Sequence, residues 1–400
     1  MNRLILLVIL CASTLAARYQ CNHKSALLIL KRPAYEFSVK LLDRVAQASD
    51  AHFVYSPIST WLQLLTLSEG AHGQTLKEIW NVTKHLRLKC FRRKWRSIVN
   101  RVDTQLKDVS KRRGFMVVDK LMNVKKSFIL EVERLKSLQV LMLDFNYPVT
   151  AADIANKEVE SATNGVIVNA FTPYDFNSTV LLMADTSFYK SNWKIPFNTV
   201  YTRPEPFYSE FGVDEGEVNM MNRIDYFNYT EIPRIGAKVL ELPCGSGDRV
   251  TMLFFLPTTG SIRDLFFSLQ RIRIMSIFNK FKVDGASLVD VKIPRFKITT
   301  DIDSIPELLY DMGVKRVFHP DLANLRGISD FKVYASLMAQ VADIEVNEEG
   351  VTATAVADFL LANKVSKDFT ANRPFAFLLI DKRTELILFA GTYSTPRKYK

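Results

Sequence analysis

Cysteine, histidine and the short motifs of catalysis are scarce in this chain of 400 residues. Its four cysteines include no Cys-x-x-Cys pair, which excludes zinc ribbons and dithiol redox chemistry. The five histidines, His23, His52, His72, His85 and His319, are scattered without metal-ligand spacing, and no His-Glu-x-x-His occurs. The residue two before Ser246 is Cys244 rather than glycine, so the nucleophile elbow is missing, as are the phosphate loop and the dinucleotide fingerprint. No run beyond the N-terminus approaches the roughly 18 apolar residues of a membrane span. No Gly/Ser/Pro-rich linker, low-complexity run or internal repeat divides the sequence. These absences argue against an enzyme with a local catalytic signature, against a metal centre and against several tandem units.

What is present begins with Met1-Asn2-Arg3, an apolar stretch Leu4–Leu10 and small residues up to Ala16-Ala17. That order predicts a secretory signal peptide over 1–17, hence a secreted, extracellular mature chain over 18–400. With 48% hydrophobic residues, the chain can bury a large core as one domain. Secretion gives meaning to the sequons at Asn81, Asn177 and Asn228 as glycosylation sites. It also leaves an odd cysteine count. Cys11 departs with the signal and Cys21, Cys90 and Cys244 remain, so at least one thiol stays free or pairs outside the chain; three free, partly buried thiols are the alternative to any bridge.

Helical spacing of apolar residues runs over Phe37–Val45, Trp61–Leu67 and Lys94–Val109, the last with Trp95, Ile98, Val99, Val102 and Leu106 on one face. β-Branched and aromatic runs bounded by turn residues cover Val250–Leu256, Val289–Ile298, Phe375–Leu379 and Glu385–Phe389. Helices early and strands late predict an α+β fold.

The formal net charge is +11, and the excess is concentrated. Lys84, Arg87, Lys89, Arg92, Arg93, Lys94 and Arg96 fall in a stretch without an acid. In a secreted protein such a run suits a sulfated polysaccharide better than nucleic acid. A solvated basic face without a ligand is the alternative.

One stretch near the C-terminus carries a strand's pattern outside an obvious strand. Glu345–Gly350 is an acidic lead-in, and from Val351 alternate positions read Val351, Ala353, Ala355, Ala357, Phe359 and Leu361 on one face and Thr352, Thr354, Val356 on the other. An ordinary edge strand has the same period. The surrounding blocks decide. Phe53–Ser59, Gly70–Thr75, Asn156 to Gly165, Phe188–Trp193 with Pro196-Phe197, Leu242-Pro243, Met252–Pro257, Pro294–Ile298, Met312–Val314, Asp321-Leu322 with Gly327–Ser329, and Leu388–Gly391 follow one another in register. Together, from Tyr35 to Pro396, they resemble the serpin family.

The resemblance implies a serpin fold of three β-sheets and eight or nine helices with an exposed reactive-centre loop over about 350–373. It implies a monomeric protease inhibitor rather than an enzyme. The hinge comprises Glu348, Glu349, Gly350, Val351, Thr352, Ala353, Thr354, Ala355, Val356 and Ala357, small enough to enter a sheet after cleavage. Fourteen residues beyond Gly350 the family's register places the reactive bond at Lys364-Val365, which suits a trypsin-like serine protease. The stretch to Pro374 is slightly short for the family, which leaves Asn363 and Lys367 as competing sites. The sheet-opening region maps to Ser56, Ser59, Asp185 and Gln340. There the family's usual asparagine and histidine are replaced by Asp185 and Gln340, and an aspartate can accept from a glutamine amide. This change, with Val351 at a common Thr or Ser position, keeps open the alternative of a non-inhibitory carrier, storage or binding serpin; Glu158 is a further departure, at a usual aromatic of the helix over the central sheet. The resemblance also implies a Cys21–Cys90 bridge and a heparin-like polysaccharide as activating cofactor on the fourth helix; no other cofactor or metal is expected.

Overall fold

The computed structural model describes residues 22–49, 51–84, 89–107, 110–163, 165, 167–177, 179–350 and 366–396, with the backbone alone over 89–93. The signal segment, Cys21, Arg87, the hinge from Val351 to Ala357, Asn363, Lys364 and Val365 lie outside these residues.

Nine α-helices occur among the described residues: α1 (His23–Ala48), α2 (Pro57–Gly70), α3 (Gly73–Thr83), α4 (Lys89–Gln105), α5 (Lys126–Val132), α6 (Pro148–Thr163), α7 (Ile262–Leu269), α8 (Ile274–Asp284) and α9 (Ile305–Met312). The strands begin with β1 (Phe53–Tyr55), β2 (Ser110–Asp119), β3 (Leu138–Leu143), β4 (Leu181–Lys190), β5 (Arg203–Tyr208), β6 (Asp214–Ile232) and β7 (Ala237–Cys244). They continue with β8 (Val250–Pro257), β9 (Ala286–Pro294), β10 (Phe296–Ile302), β11 (Leu337–Val346), β12 (Lys367–Thr370), β13 (Phe375–Asp381) and β14 (Leu386–Tyr393).

Sequence sets the ends of several elements. Asn22 caps α1 by accepting from the Ser25 backbone N–H while the Ser25 hydroxyl accepts from the Asn22 backbone, a reciprocal capping arrangement. Pro57 opens α2, where a missing N–H costs nothing. The expected run Val289–Ile298 is two strands, because the chain bends at Pro294-Arg295 between β9 and β10. Helix α4 ends at Gln105, short of Val109.

Strands assemble into a five-stranded sheet in the order β10-β11-β4-β2-β3 and a nine-stranded sheet in the order β1-β14-β13-β8-β7-β6-β9-β12, with β5 also on β6. Two hydrogen-bonded networks therefore stand where three sheets were expected. The reason is β6, which is 19 residues long. Its first part pairs with β5 and β9, its last residues pair with β7, and the ladder passes through it without a break. Between the two sheets lies α2, buried along nearly its whole length, as a helix without a hydrated face must be. The core beside it includes Phe296, Phe375, Phe377 and Tyr393, whose rings contact one another. The start of α2 is tied to β11 by the hydrogen bonds between the Ser56 backbone and the Gln340 amide.

Candidate functional site

Strands β4 and β11 are parallel neighbours, and in their register Gln340 faces Asp185. Both side chains are buried, and the two residues stand opposite each other on neighbouring strands. The direct hydrogen bond expected between them is replaced by a longer route. Gln340 Oε1 accepts from the Ser56 backbone N–H at 2.6 Å, and its Nε2 donates to the Ser56 carbonyl at 3.0 Å. The Ser56 hydroxyl lies 3.1 Å from that of Ser59, which lies 3.4 Å from that of Ser187. Ser187 donates to Asp185 Oδ1 at 2.6 Å. The amide thus reaches for the turn entering α2, whose first N–H groups lack helical partners, and the carboxylate turns to its own strand. All four expected residues meet in one buried polar chain.

Burial pushes the Asp185 carboxyl up to about 6, against the opposing pull of the Arg112 guanidinium. Arg112 itself donates to both carboxylate oxygens of Asp103, at 3.0 and 2.8 Å, and to Ser137 Oγ. Nothing in the family's blocks singles out this arginine. Its signal is Lys111-Arg112-Arg113 at the start of an otherwise apolar strand, where one of the three must face inward.

At the top of the same strand pair a clamp holds the hinge. Ser191 and Asn347 exchange hydrogen bonds through Ser191 Oγ, and Trp193 Nε1 donates to the Asn347 carbonyl at 2.7 Å. The Trp193 and Phe197 backbone N–H groups donate to the carbonyls of Glu349 and Glu348, both at 3.0 Å. Glu348 Oε1 accepts from Thr202 Oγ1, and Glu349 pairs with Lys190 at 3.0 Å. Gly350 bridges to Trp193 so closely that a Cβ would stand 2.5 Å from the Trp193 carbonyl oxygen; only glycine fits. Ser191, Trp193 and Asn347 were read as family spacing alone, and their role becomes visible only across 156 residues of sequence separation.

Other expected positions are redistributed. Lys367 is the first residue of β12, in register with Val289 and donating to Ser287 Oγ. A residue held in a ladder is not presented for cleavage, which removes Lys367 as a competing reactive site and ends the loop before 367 rather than at 373. In the basic run, Lys84 is exposed and Lys94 half-buried. Arg96 is buried and paired with Glu69 at 2.8 Å and Glu131 at 2.6 Å, so it leaves the polysaccharide set; the side chains of Lys89, Arg92, Arg93 and Cys90 lie outside the described ones. Asn81 and Asn177 are exposed. Asn228 sits inside β6 with its amide donating to Glu241 at 2.6 Å, which leaves its nitrogen engaged and makes it the poorest of the three sequons. Cys244 is a buried free thiol whose pKa burial pushes up to about 12, so it is unreactive. Among the described residues no helix is long and apolar enough to cross a membrane.

Residues 33–396 match the family model described as "Serpin (serine protease inhibitor)". Human neuroserpin is 29% identical over 381 residues, covering 90% of this chain and 90% of that protein. Uncleaved ovalbumin superposes with a TM-score of 0.81 at 25% identity, over 92% of this chain and 100% of that one. Native protease nexin-1, solved with heparin, superposes with a TM-score of 0.80 at 23% identity, over 93% and 99%.

Proposed function

This chain belongs to the serpin (serine protease inhibitor) family, and from that premise we propose that it is a secreted inhibitor that traps a trypsin-like serine protease by inserting its cleaved loop between β4 and β11. The relation of the hinge to those two strands carries the reading. Strand β11 runs on through Asn347–Gly350, still parallel at Gly350 to the chain that follows β4. A chain that reverses after Gly350 runs antiparallel to β11 and therefore antiparallel to β4. Its insertion exchanges one parallel ladder for two antiparallel ones, and parallel pairing is the weaker per residue. Serpin loop insertion is itself an established example of strand addition.

Chemistry at the reactive bond is supplied by the protease. Its serine oxygen attacks the Lys364 carbonyl carbon, the Lys364–Val365 amide breaks, and the Val365 amine leaves with a proton from the protease's histidine. The product is an ester between protease and Lys364, and insertion of the residues before Lys364 carries the ester away from its docking position. A lysine at the bond matches a primary pocket that holds a carboxylate. Val351, Ala353, Ala355 and Ala357 are small residues at alternate positions, which suits the face that an inserted strand would turn to the sheet interior.

The test is incubation with a trypsin-like protease followed by a denaturing gel. A covalent complex is expected for the wild type; Lys364→Ala slows its formation, and Ala355→Arg, which would bury a charge under the sheet, is cleaved without complex. Cleavage of the wild type without any complex overturns the inhibitory reading in favour of a carrier, storage or binding serpin, to which the altered pair Asp185 and Gln340 points. The proposed cofactor is a heparin-like polysaccharide on Lys84, Arg87, Lys89, Arg92, Arg93 and Lys94. The acid-free run supports it, and native protease nexin-1, a protein of the same fold, has been solved with heparin.

A further inference from the structure

Beneath the hinge clamp lies a cavity of about 260 Å³. Trp193, Phe197, Phe227 and Leu242 wall it and are buried, while Tyr226 and Ala286 stand exposed at its open side. Two cations line it: Lys194, whose Nζ pairs with Asp248 at 2.7 Å, and Arg223, set in the apolar wall with only 7% of its surface exposed. Its Nη1 donates to the Pro196 carbonyl at 2.8 Å and its Nη2 pairs with Asp225. Its Nε is buried and has no hydrogen-bond partner. A buried donor without an acceptor is rare in a folded protein and calls for a missing group. Across the cavity Glu241 is already committed, accepting from Asn228 Nδ2 at 2.6 Å and Lys382 Nζ at 2.9 Å, so its charge is neutralised and offers little repulsion to an anion.

Aromatic walls with one open cationic donor specify the complement. We propose that this cavity binds a small aromatic carboxylate, its ring among Trp193, Phe197 and Phe227 and one carboxylate oxygen accepting from Arg223 Nε. Pockets for drug-sized ligands span roughly 300–1,000 Å³, so the smaller volume here fits a single or fused pair of rings. A carboxylate is favoured over a neutral carbonyl because hydrogen bonds between two charged groups are the stronger ones. Phosphate esters and sugars need several buried donors, and Arg223 Nε is the one buried, unfilled donor of this lining.

The position has a consequence that rests on the inhibitory reading. Trp193 and Phe197 wall the cavity and also hold the backbone of Asn347, Glu348 and Glu349. A ring packed against them resists the movement that frees the hinge, so the occupied protein forms its protease complex more slowly.

The probe is 2-naphthoate, titrated into the full chain by calorimetry and by tryptophan fluorescence. Wild type is expected to bind one equivalent. Arg223→Lys, which removes Nε but keeps a cation, binds at least tenfold more weakly, and Ala286→Trp, which fills the open side, abolishes binding. The cationic analogue 2-naphthylmethylamine does not bind. Should Arg223→Lys fail to fold, Ala286→Trp carries the test, since it adds its side chain at an exposed position. No saturable binding by the wild type, or affinity unchanged in both variants, overturns the proposal. If binding behaves as expected and the wild type forms no protease complex, the inhibitory reading fails and the site stands.

Discussion

Asp185 stands where two parallel strands must part if a third is to enter. The group it buries is a carboxyl, and the neutral amide usual in the family would sit there at lower cost. With its pKa pushed from 3.8 up to about 6 by burial, the folded chain holds that proton to a higher pH than the unfolded chain does. Stability from this group is therefore greatest below about pH 4 and is lost as pH rises through about 6. Asp185→Asn keeps an acceptor for Ser187 and removes the ionisation, and Arg112 retains Asp103. The variant should match the wild type near pH 4 and exceed it at pH 7 by up to about 3 kcal/mol, two pH units at roughly 1.4 kcal/mol each. Denaturant unfolding at the two pH values measures this, and an equal difference at both would mean that Asp185 does not titrate between them. The facing of Asp185 and Gln340 was legible in the sequence because strand register follows the family's blocks. Their hydrogen bonds were not, because Gln340 spends its amide on Ser56, 284 residues away and on a third element.

At the level of elements, α4 has two jobs that its sequence does not separate. Trp95, Ile98, Val99, Val102 and Leu106 are buried on one face, and that stripe was plain from its period. Arg96 borders the stripe, three residues before Val99, and so turns inward far enough to meet Glu69 on α2 and Glu131 on α5. A run of basic residues looks uniform in sequence, whereas a helix buries part of any such run. Arg96→Met removes the cation paired with buried Glu69 and should destabilise the protein by about 3–5 kcal/mol. Replacing Lys84, Arg87, Arg92 and Arg93 by alanine should cost little stability and lower the salt concentration at which the protein leaves a heparin column. Elution unchanged in the fourfold variant would remove the polysaccharide site from this helix. The nine-stranded sheet was illegible for a related reason: nothing local in Asp214–Ile232 tells that its two halves serve different neighbours.

For the whole molecule, the inhibitory reading makes the uncleaved fold a metastable one. Strands β4 and β11 each have ten residues, so an inserted strand finds a ladder of roughly 33 Å at 3.3 Å per residue, shorter than the fourteen residues from Val351 to Lys364. Ordering those residues costs on the order of 1–2 kcal/mol each in backbone entropy. The return is two antiparallel ladders in place of one parallel one and the burial of Phe359 and Leu361, at about 1.5–3 kcal/mol apiece. If the return is larger, cutting the loop must stabilise the protein, the reverse of what a cut does in most chains. Limited proteolysis within 351–365 should therefore raise the unfolding temperature by more than about 10 °C, since a shift of 2–4 °C corresponds to roughly 1 kcal/mol in domains of a few hundred residues. Ala355→Arg should lose that rise while its uncleaved form melts as the wild type does. A cleaved wild type that melts at or below the temperature of the intact protein would place β4 and β11 in a sheet that does not open, and the chain would then be a serpin that binds without trapping.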